Sequence, residues 1–136
     1  MMSRLFAGKN ASEVRNSSLS QEDVLNETDL LDQVAGDRNL LRKVVQVFRK
    51  EYPERLSIIA KAIDNGDAKV IDSVAHKLKG STGTLGGHRA MNAAYRLESI
   101  GKSGDLKEAR EALKQLELEL DHLGAALVSF LGEGDL

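Results

Sequence analysis

Near the C-terminus, Leu106, Ala109, Leu113, Leu116, Leu120, Leu123 and Leu127 follow one another in alternating steps of three and four. This spacing is the seam of an amphipathic helix, and such a helix must bury its stripe against other helices. A seam this regular is able to pair between chains, but enough helical partners inside the same chain would cover it equally well.

The preceding residues supply those partners. Between Arg38 and Ile63, the apolar residues Leu41, Val45, Phe48, Tyr52, Leu56, Ile59 and Ile63 hold helical spacing. Pro53 falls inside this run, where it removes one backbone hydrogen bond and predicts a kink. The stripe keeps its phase across Pro53, so one bent helix is predicted rather than two. A third segment, Ala68 to Leu85, carries Ile71, Val74, Ala75, Leu78 and Leu85 on one side. A fourth, Arg89 to Ile100, offers Met91, Ala94 and Leu97. A short segment near Asp29 to Ala35 precedes them all.

The boundaries have a chemical signature. Gly36-Asp37, Gly66-Asp67 and Gly104-Asp105 each pair a residue that closes a helix with one that caps the next. Gly86-Gly87 marks a fourth break. No run alternates β-branched residues, and no hairpin dipeptide separates such runs. The predicted fold is therefore all-α: an antiparallel four-helix bundle with a short extra N-terminal helix and a second, long helix kinked at Pro53. Residues 1–26, rich in Ser, Asn and charge, read as a flexible leader or linker; 27–131 read as the bundle, and 132–136 as a tail.

Composition removes several functions. The chain has 136 residues, enough for one unstapled domain, and no cysteine, which excludes disulfides and thiolate chemistry. Nineteen Lys and Arg against 21 Asp and Glu leave a net charge of −2. Such a balance attracts neither nucleic acid nor an anionic membrane surface. No apolar run approaches the roughly 20 residues that cross a bilayer, and residues 1–8 do not form a secretory signal. A cytoplasmic monomer without direct membrane contact is expected, and a larger membrane-anchored parent is compatible with it.

One stretch carries chemistry: Ala75-His76-Lys77-Leu78-Lys79-Gly80-Ser81-Thr82-Gly83-Thr84-Leu85-Gly86-Gly87. At about 100° per residue, His76 lies about 170° from the centre of the apolar arc of its segment, so it should face water. Gly80 and Gly83 fall on the same side as His76, and Lys79 flanks it. A glycine inside a helix costs about 1 kcal/mol relative to alanine, so two on one exposed face are poor choices for stability alone. They leave bare backbone over which a macromolecule can approach an imidazole. An exposed imidazole is largely neutral near pH 7, and histidine forms covalent intermediates, so the ring nitrogen can take a phosphoryl group. Lys79 would sit where its charge meets that group, and Lys79→Ala is expected to slow phosphotransfer while changing folding little, since surface substitutions are usually within about 0.5 kcal/mol. No activating triad is visible nearby, so a partner must complete the chemistry.

Ala75-His76-x-Leu78-Lys79-Gly80, followed by small residues and Gly86, resembles the histidine-containing phosphotransfer (HPt) domain of multistep phosphorelays. Phe48, Pro53, Leu56, Asn65-Gly66-Asp67 and Leu97-Glu98 fall where that family has similar residues, and the likeness spans roughly Asp29 to Leu127. It implies a phosphocarrier: His76 accepts a phosphoryl group from a receiver-domain aspartate and passes it to another, Lys79 stabilises the phosphoryl charge, and Gly80 gives the receiver room. It implies no cofactor in this chain, Mg2+ residing in the partner receiver, no ATP site, and response-regulator receiver domains, or a hybrid sensor histidine kinase, as partners. Thr82, Gly83, Thr84 and Gly87 depart from the family's more frequent Ala and Asn. Two other readings share the helical fold: a substrate domain phosphorylated directly by a histidine kinase core, and a protein-interaction module without phosphoryl chemistry.

His88 and His122 have no ligand-like spacing, and no metal site is expected. Gly101-Lys102-Ser103 ends like a phosphate-binding loop, but Arg96 stands where its first glycine belongs.

Overall fold

The computed structural model describes residues 21–132. Among these residues six helices follow in order: α1 (Gln21–Val24), α2 (Glu27–Gln33), α3 (Arg38–Asn65), α4 (Ala68–Thr84), α5 (His88–Ser103) and α6 (Ala109–Leu131). No strand occurs among the described residues. The four long helices are joined by short links, so consecutive ones run antiparallel and form the expected bundle. Residues 1–20 of the expected leader and 133–136 of the expected tail lie outside the described residues.

Two short helices, rather than one, precede the bundle. Residues 21–26, assigned from composition to the leader, contain α1 and the buried Leu25. The chain is pinned there because Asn26 donates its backbone N–H to the Gly86 carbonyl at 2.8 Å. Asn26 also caps α2 by accepting from the Asp29 N–H. A polar, aperiodic stretch conceals one anchoring leucine and one cap, and neither creates a period.

The stop-start pairs work in two places out of three. Gly66 closes α3 in the left-handed conformation at φ 69°, and Asp67 caps α4 by accepting from the Val70 N–H. Asp37 caps α3 through the Asn39 and Leu40 N–H groups. At the third pair, Gly104 closes α5, but Asp105 accepts from the Lys107 N–H within the link. Helix α6 therefore starts only at Ala109, after Leu106. Helix α3 runs through Pro53 as a single element, as the unbroken stripe required.

The seam of α6 is used inside the chain. Leu116, Leu120, Leu123 and Leu127 are fully buried, together with Leu41, Val45, Ile59, Ile71, Leu78 and Leu97 from the facing helices. Each such side chain contributes about 1.5–3 kcal/mol of burial. Glu119, also buried, is held in a two-pronged grip by Arg89 at 3.0 and 2.6 Å, which ties α5 to α6. The grip is a strong, oriented charge-assisted contact of the kind arginine makes with carboxylates.

Helices α4 and α5 pack more extensively than any other pair. Gly101 explains how. A Cβ built there would stand 2.6 Å from the Asp72 nitrogen and 2.9 Å from the Ala68 oxygen. These are backbone atoms of α4 that cannot step aside. The two helices approach more closely than any side chain would permit. Gly83 behaves similarly in milder form, since a Cβ there would meet Met91 Sδ at 3.0 Å. Its placement beside His76 on an open face is thus corrected: Gly83 makes room for a neighbouring helix. Gly80 differs from both, for a Cβ there meets nothing within 4 Å.

Gly101→Ala should force α4 and α5 apart and cost about 1–3 kcal/mol in urea unfolding. Gly80→Ala, with open space and a better helix former, should be neutral or stabilising by up to about 1 kcal/mol in the same measurement. Equal midpoints for the two variants would contradict the close crossing.

Candidate functional site

Helix α4 carries His76 on its exposed side, with 64% of the side chain accessible. The apolar positions Ile71, Ala75 and Leu78 face inward and turn this residue outward. Lys79, one turn on, lies flatter, at 30% accessibility. Gly80 is exposed beside them.

What the sequence reading missed is the carboxylate between them. Glu98 of α5 is buried, with only 4% of its side chain accessible. Its Oε2 lies 2.7 Å from His76 Nδ1, and its Oε1 lies 2.7 Å from Lys79 Nζ. The lysine contact is an ion pair outside hydrogen-bond alignment, since Oε1 has no hydrogen-bond partner of good geometry among the described residues. Lys102, one turn further along α5, reaches the same Oε2 at 3.4 Å and Asp72 Oδ1 at 2.9 Å. Tyr95 lies on the other side, its ring 5.3 Å from the Lys79 ammonium. The carboxylate is shut off from water by the side chains laid over it, not by depth in the core.

Lys79 is the main reason the Glu98 carboxyl ionises so readily. Its ammonium, aided by His76 and Lys102, outweighs the opposing effect of burial and lowers the carboxyl from 4.5 to about 2. Glu98 is therefore a carboxylate at any cellular pH, and a carboxylate only accepts hydrogen bonds. The 2.7 Å contact then requires His76 Nδ1 to carry the proton. In the neutral ring this leaves the lone pair on Nε2, the ring nitrogen that Glu98 does not engage. Across the helix pair, then, the imidazole meets a carboxylate that orients it and a lysine that flanks it.

A signal for Glu98 did exist. On the wheel of α5 it falls among Ala90, Ala94, Leu97 and Gly101, all buried. A carboxylate inside an apolar arc must find a cationic or hydrogen-bonding partner. Which partner it finds cannot be read locally, because His76 is 22 residues away in the chain.

An apolar groove of about 310 Å3 opens next to Gly80 between α3 and α4. Val44, Phe48, Tyr52, Leu78 and Thr84 line it, with the exposed Val47 at its edge. Leu85, also in the lining, is buried. His88 and His122 sit elsewhere, at 3.0 Å from Asp29 and 3.7 Å from Glu119. No cluster of His, Asp and Glu able to hold a metal occurs among the described residues.

The lowered Glu98 carboxyl links stability to pH. Its folded value lies below its unfolded one, so its contribution is full above about 4.5 and disappears as pH falls towards about 2. Urea midpoints should decline more steeply across that window in the wild type than in Glu98→Gln, and the variant should be the less stable at pH 7. Parallel curves would show that the ionised carboxylate does not stabilise the fold.

Comparison with known proteins gives the family and the fold. The chain matches the Hpt domain family over residues 43–126. No curated protein matches it significantly. Among solved structures, it is similar to histidine-containing phosphotransfer protein B (HptB) from Pseudomonas aeruginosa PAO1, with a TM-score of 0.74 and 21% identity. That superposition covers 79% of this chain and 93% of the other, and it establishes a common fold. The family match takes in α4 and α5, the two helices that bear His76 and Glu98, and on that ground the chain belongs to the Hpt domain family, the histidine phosphocarriers of phosphorelays.

Proposed function

We propose that His76 is the phosphoacceptor, taking a phosphoryl group from the aspartyl phosphate of one receiver domain and delivering it to the aspartate of another. The single observation that carries this reading is the 2.7 Å contact of Nδ1 with an ionised, buried Glu98. Nε2 attacks phosphorus with its lone pair, the phosphorus–oxygen bond of the acyl phosphate breaks, and the donor aspartate leaves as a carboxylate. No proton need move. Nδ1 keeps its hydrogen, the phosphorylated ring becomes a cation, and Glu98 lies against that new charge. The same cationic ring is a good leaving group when the second aspartate attacks, so the carrier works in both directions.

Lys79 supplies positive charge to the phosphoryl oxygens, and Gly80 keeps the approach clear. A receiver domain seated on Gly80 and the adjacent groove would bring its aspartate to Nε2. Mg2+ would come with the receiver, and this chain would need neither a cofactor nor ATP. No described helix is long and apolar enough to cross a membrane, which suits a cytoplasmic carrier.

The test is transfer of label from a phosphorylated receiver. His76→Gln should fold normally and take no label; acid-labile phosphate on that variant would refute the assignment. Lys79→Ala should slow transfer about tenfold, the value of one charge-assisted hydrogen bond. Since Lys79 also neutralises Glu98, its loss should cost about 1–2 kcal/mol of stability as well, unlike that of a solvated lysine. Labelling of His76 by ATP and a kinase core lacking a receiver would instead identify a direct kinase substrate.

A further inference from the structure

A net charge of −2 speaks against an anionic surface as a partner only if the charge is evenly spread, and here it is not. Residues 38–50, the first half of α3, carry Arg38, Arg42, Lys43, Arg49 and Lys50 and no acid, so the whole acid excess lies elsewhere. Helical spacing puts Arg42, Lys43, Arg49 and Lys50 on the solvent side of α3, away from the buried Leu41, Val45 and Phe48. They form a strip about 20 Å long. Lys43, Arg49 and Lys50 are exposed, and none of the three has an ion pair among the described residues. Arg55, just past the strip, is paired with Glu51.

The strip also has an apolar component. Leu40, Lys43, Val47 and Lys50 follow at steps of three and four, so apolar and basic side chains alternate along one line. Leu40 is 44% exposed and Val47 54%, two of the five large apolar side chains exposed among the described residues. On the other flank, residues 123–131 of α6 carry no charge, and Arg49 borders that stretch beside Ala125 and Val128. Val47 is shared with the edge of the groove beside Gly80, whereas Leu40, Lys43, Arg49 and Lys50 lie outside it.

We propose that this face of α3 is a docking surface for a bilayer rich in anionic phospholipid. Lys43, Arg49 and Lys50 meet the phosphodiester headgroups, and Leu40 and Val47 enter the boundary between headgroup and acyl chain, a combination that interfacial helices use. The lysine stems lie over apolar surface while their ammonium groups reach phosphate. The contact is peripheral and reversible, and it does not depend on the assignment of His76. A nucleic acid would match the charge, but exposed aliphatic side chains gain nothing against a phosphate backbone, and no exposed aromatic residue stands in the strip to stack on bases. An acidic protein would match it too, but cations spread along several turns suit the diffuse charge of a lipid surface better than the fixed carboxylates of a protein.

The test is cosedimentation of the full chain with vesicles of phosphatidylcholine alone, or of phosphatidylcholine and phosphatidylglycerol in equal parts. Wild type should bind the mixed vesicles and not the neutral ones. Lys43→Gln/Lys50→Gln should weaken partitioning roughly 25-fold, about fivefold for each lysine. Leu40→Ser/Val47→Ser should weaken it at least about fivefold with the charge unchanged. Lys69→Gln/Lys114→Gln removes the same charge from exposed positions on α4 and α6 and should bind as wild type does, because a charge beyond a Debye length contributes little. Far-UV circular dichroism checks that each variant is folded. Wild type left in the supernatant would overturn the proposal. Equal losses in the two lysine pairs, or full binding by Leu40→Ser/Val47→Ser, would reduce the strip to bare charge attraction and overturn it as well. Tighter binding of the strip to a short DNA duplex or to a polyglutamate peptide than to the mixed vesicles would assign it to another class of partner, with the same consequence. None of these measurements uses a receiver or a phosphoryl group, so their failure is separate from a failure of His76 to accept phosphate.

Discussion

The close crossing of α4 and α5 is the constraint on which the site depends. Gly101 lets the backbone of α5 lie against that of α4 at a separation that a single methyl group would prevent. At that separation the side chains flanking the contact reach across the seam instead of turning out to water. Glu98 and Lys102 of one helix then meet His76, Lys79 and Asp72 of the other. A wider crossing would leave the same residues as unconnected surface charges, with the imidazole free to rotate and to choose either tautomer.

The chemistry follows from how that carboxylate is placed. Buried without partners, Glu98 would become protonated or would destabilise the fold. Surrounded by an ammonium on each flank and an imidazole between them, it stays ionised. An ionised acceptor dictates which ring nitrogen holds the proton, and so which keeps its lone pair. The protein does not raise the nucleophilicity of a hidden residue. It leaves an exposed ring accessible and fixes its orientation from below, with the apolar bundle as a rigid support. The surroundings differ on the two sides of His76: polar and densely paired towards α5, open and partly apolar towards Gly80 and the groove of α3. The first side holds the ring, and the second is open.

Much of this was legible in the chain. The steps of Leu106 to Leu127 and the unbroken stripe through Pro53 specified long helices, because burial of a stripe demands one period and tolerates no other. The exposure of His76 followed from the same arithmetic, since its neighbours at apolar positions had to face the core. The hydrogen-bonded anchoring of Asn26 and the packing of Gly83 against Met91 were not legible. Both depend on which segment comes to lie opposite, and single-segment periodicity is silent about that. Gly80 and Gly83 look alike in the sequence, one open to solvent and the other filled by a neighbour.

Local sequence alone determined the helices, their phases, and the identity of the one outward-facing histidine with a bare glycine beside it, because these are properties of contiguous residues on a regular screw. Tertiary structure alone decided that Glu98 lies under that histidine, that Lys79 and Lys102 share its charge, and that Nε2 is the nitrogen left open. Those facts require two helices to meet at a particular crossing and height. Electrostatic contacts of a few ångströms are set by that meeting, and no spacing along either helix encodes it.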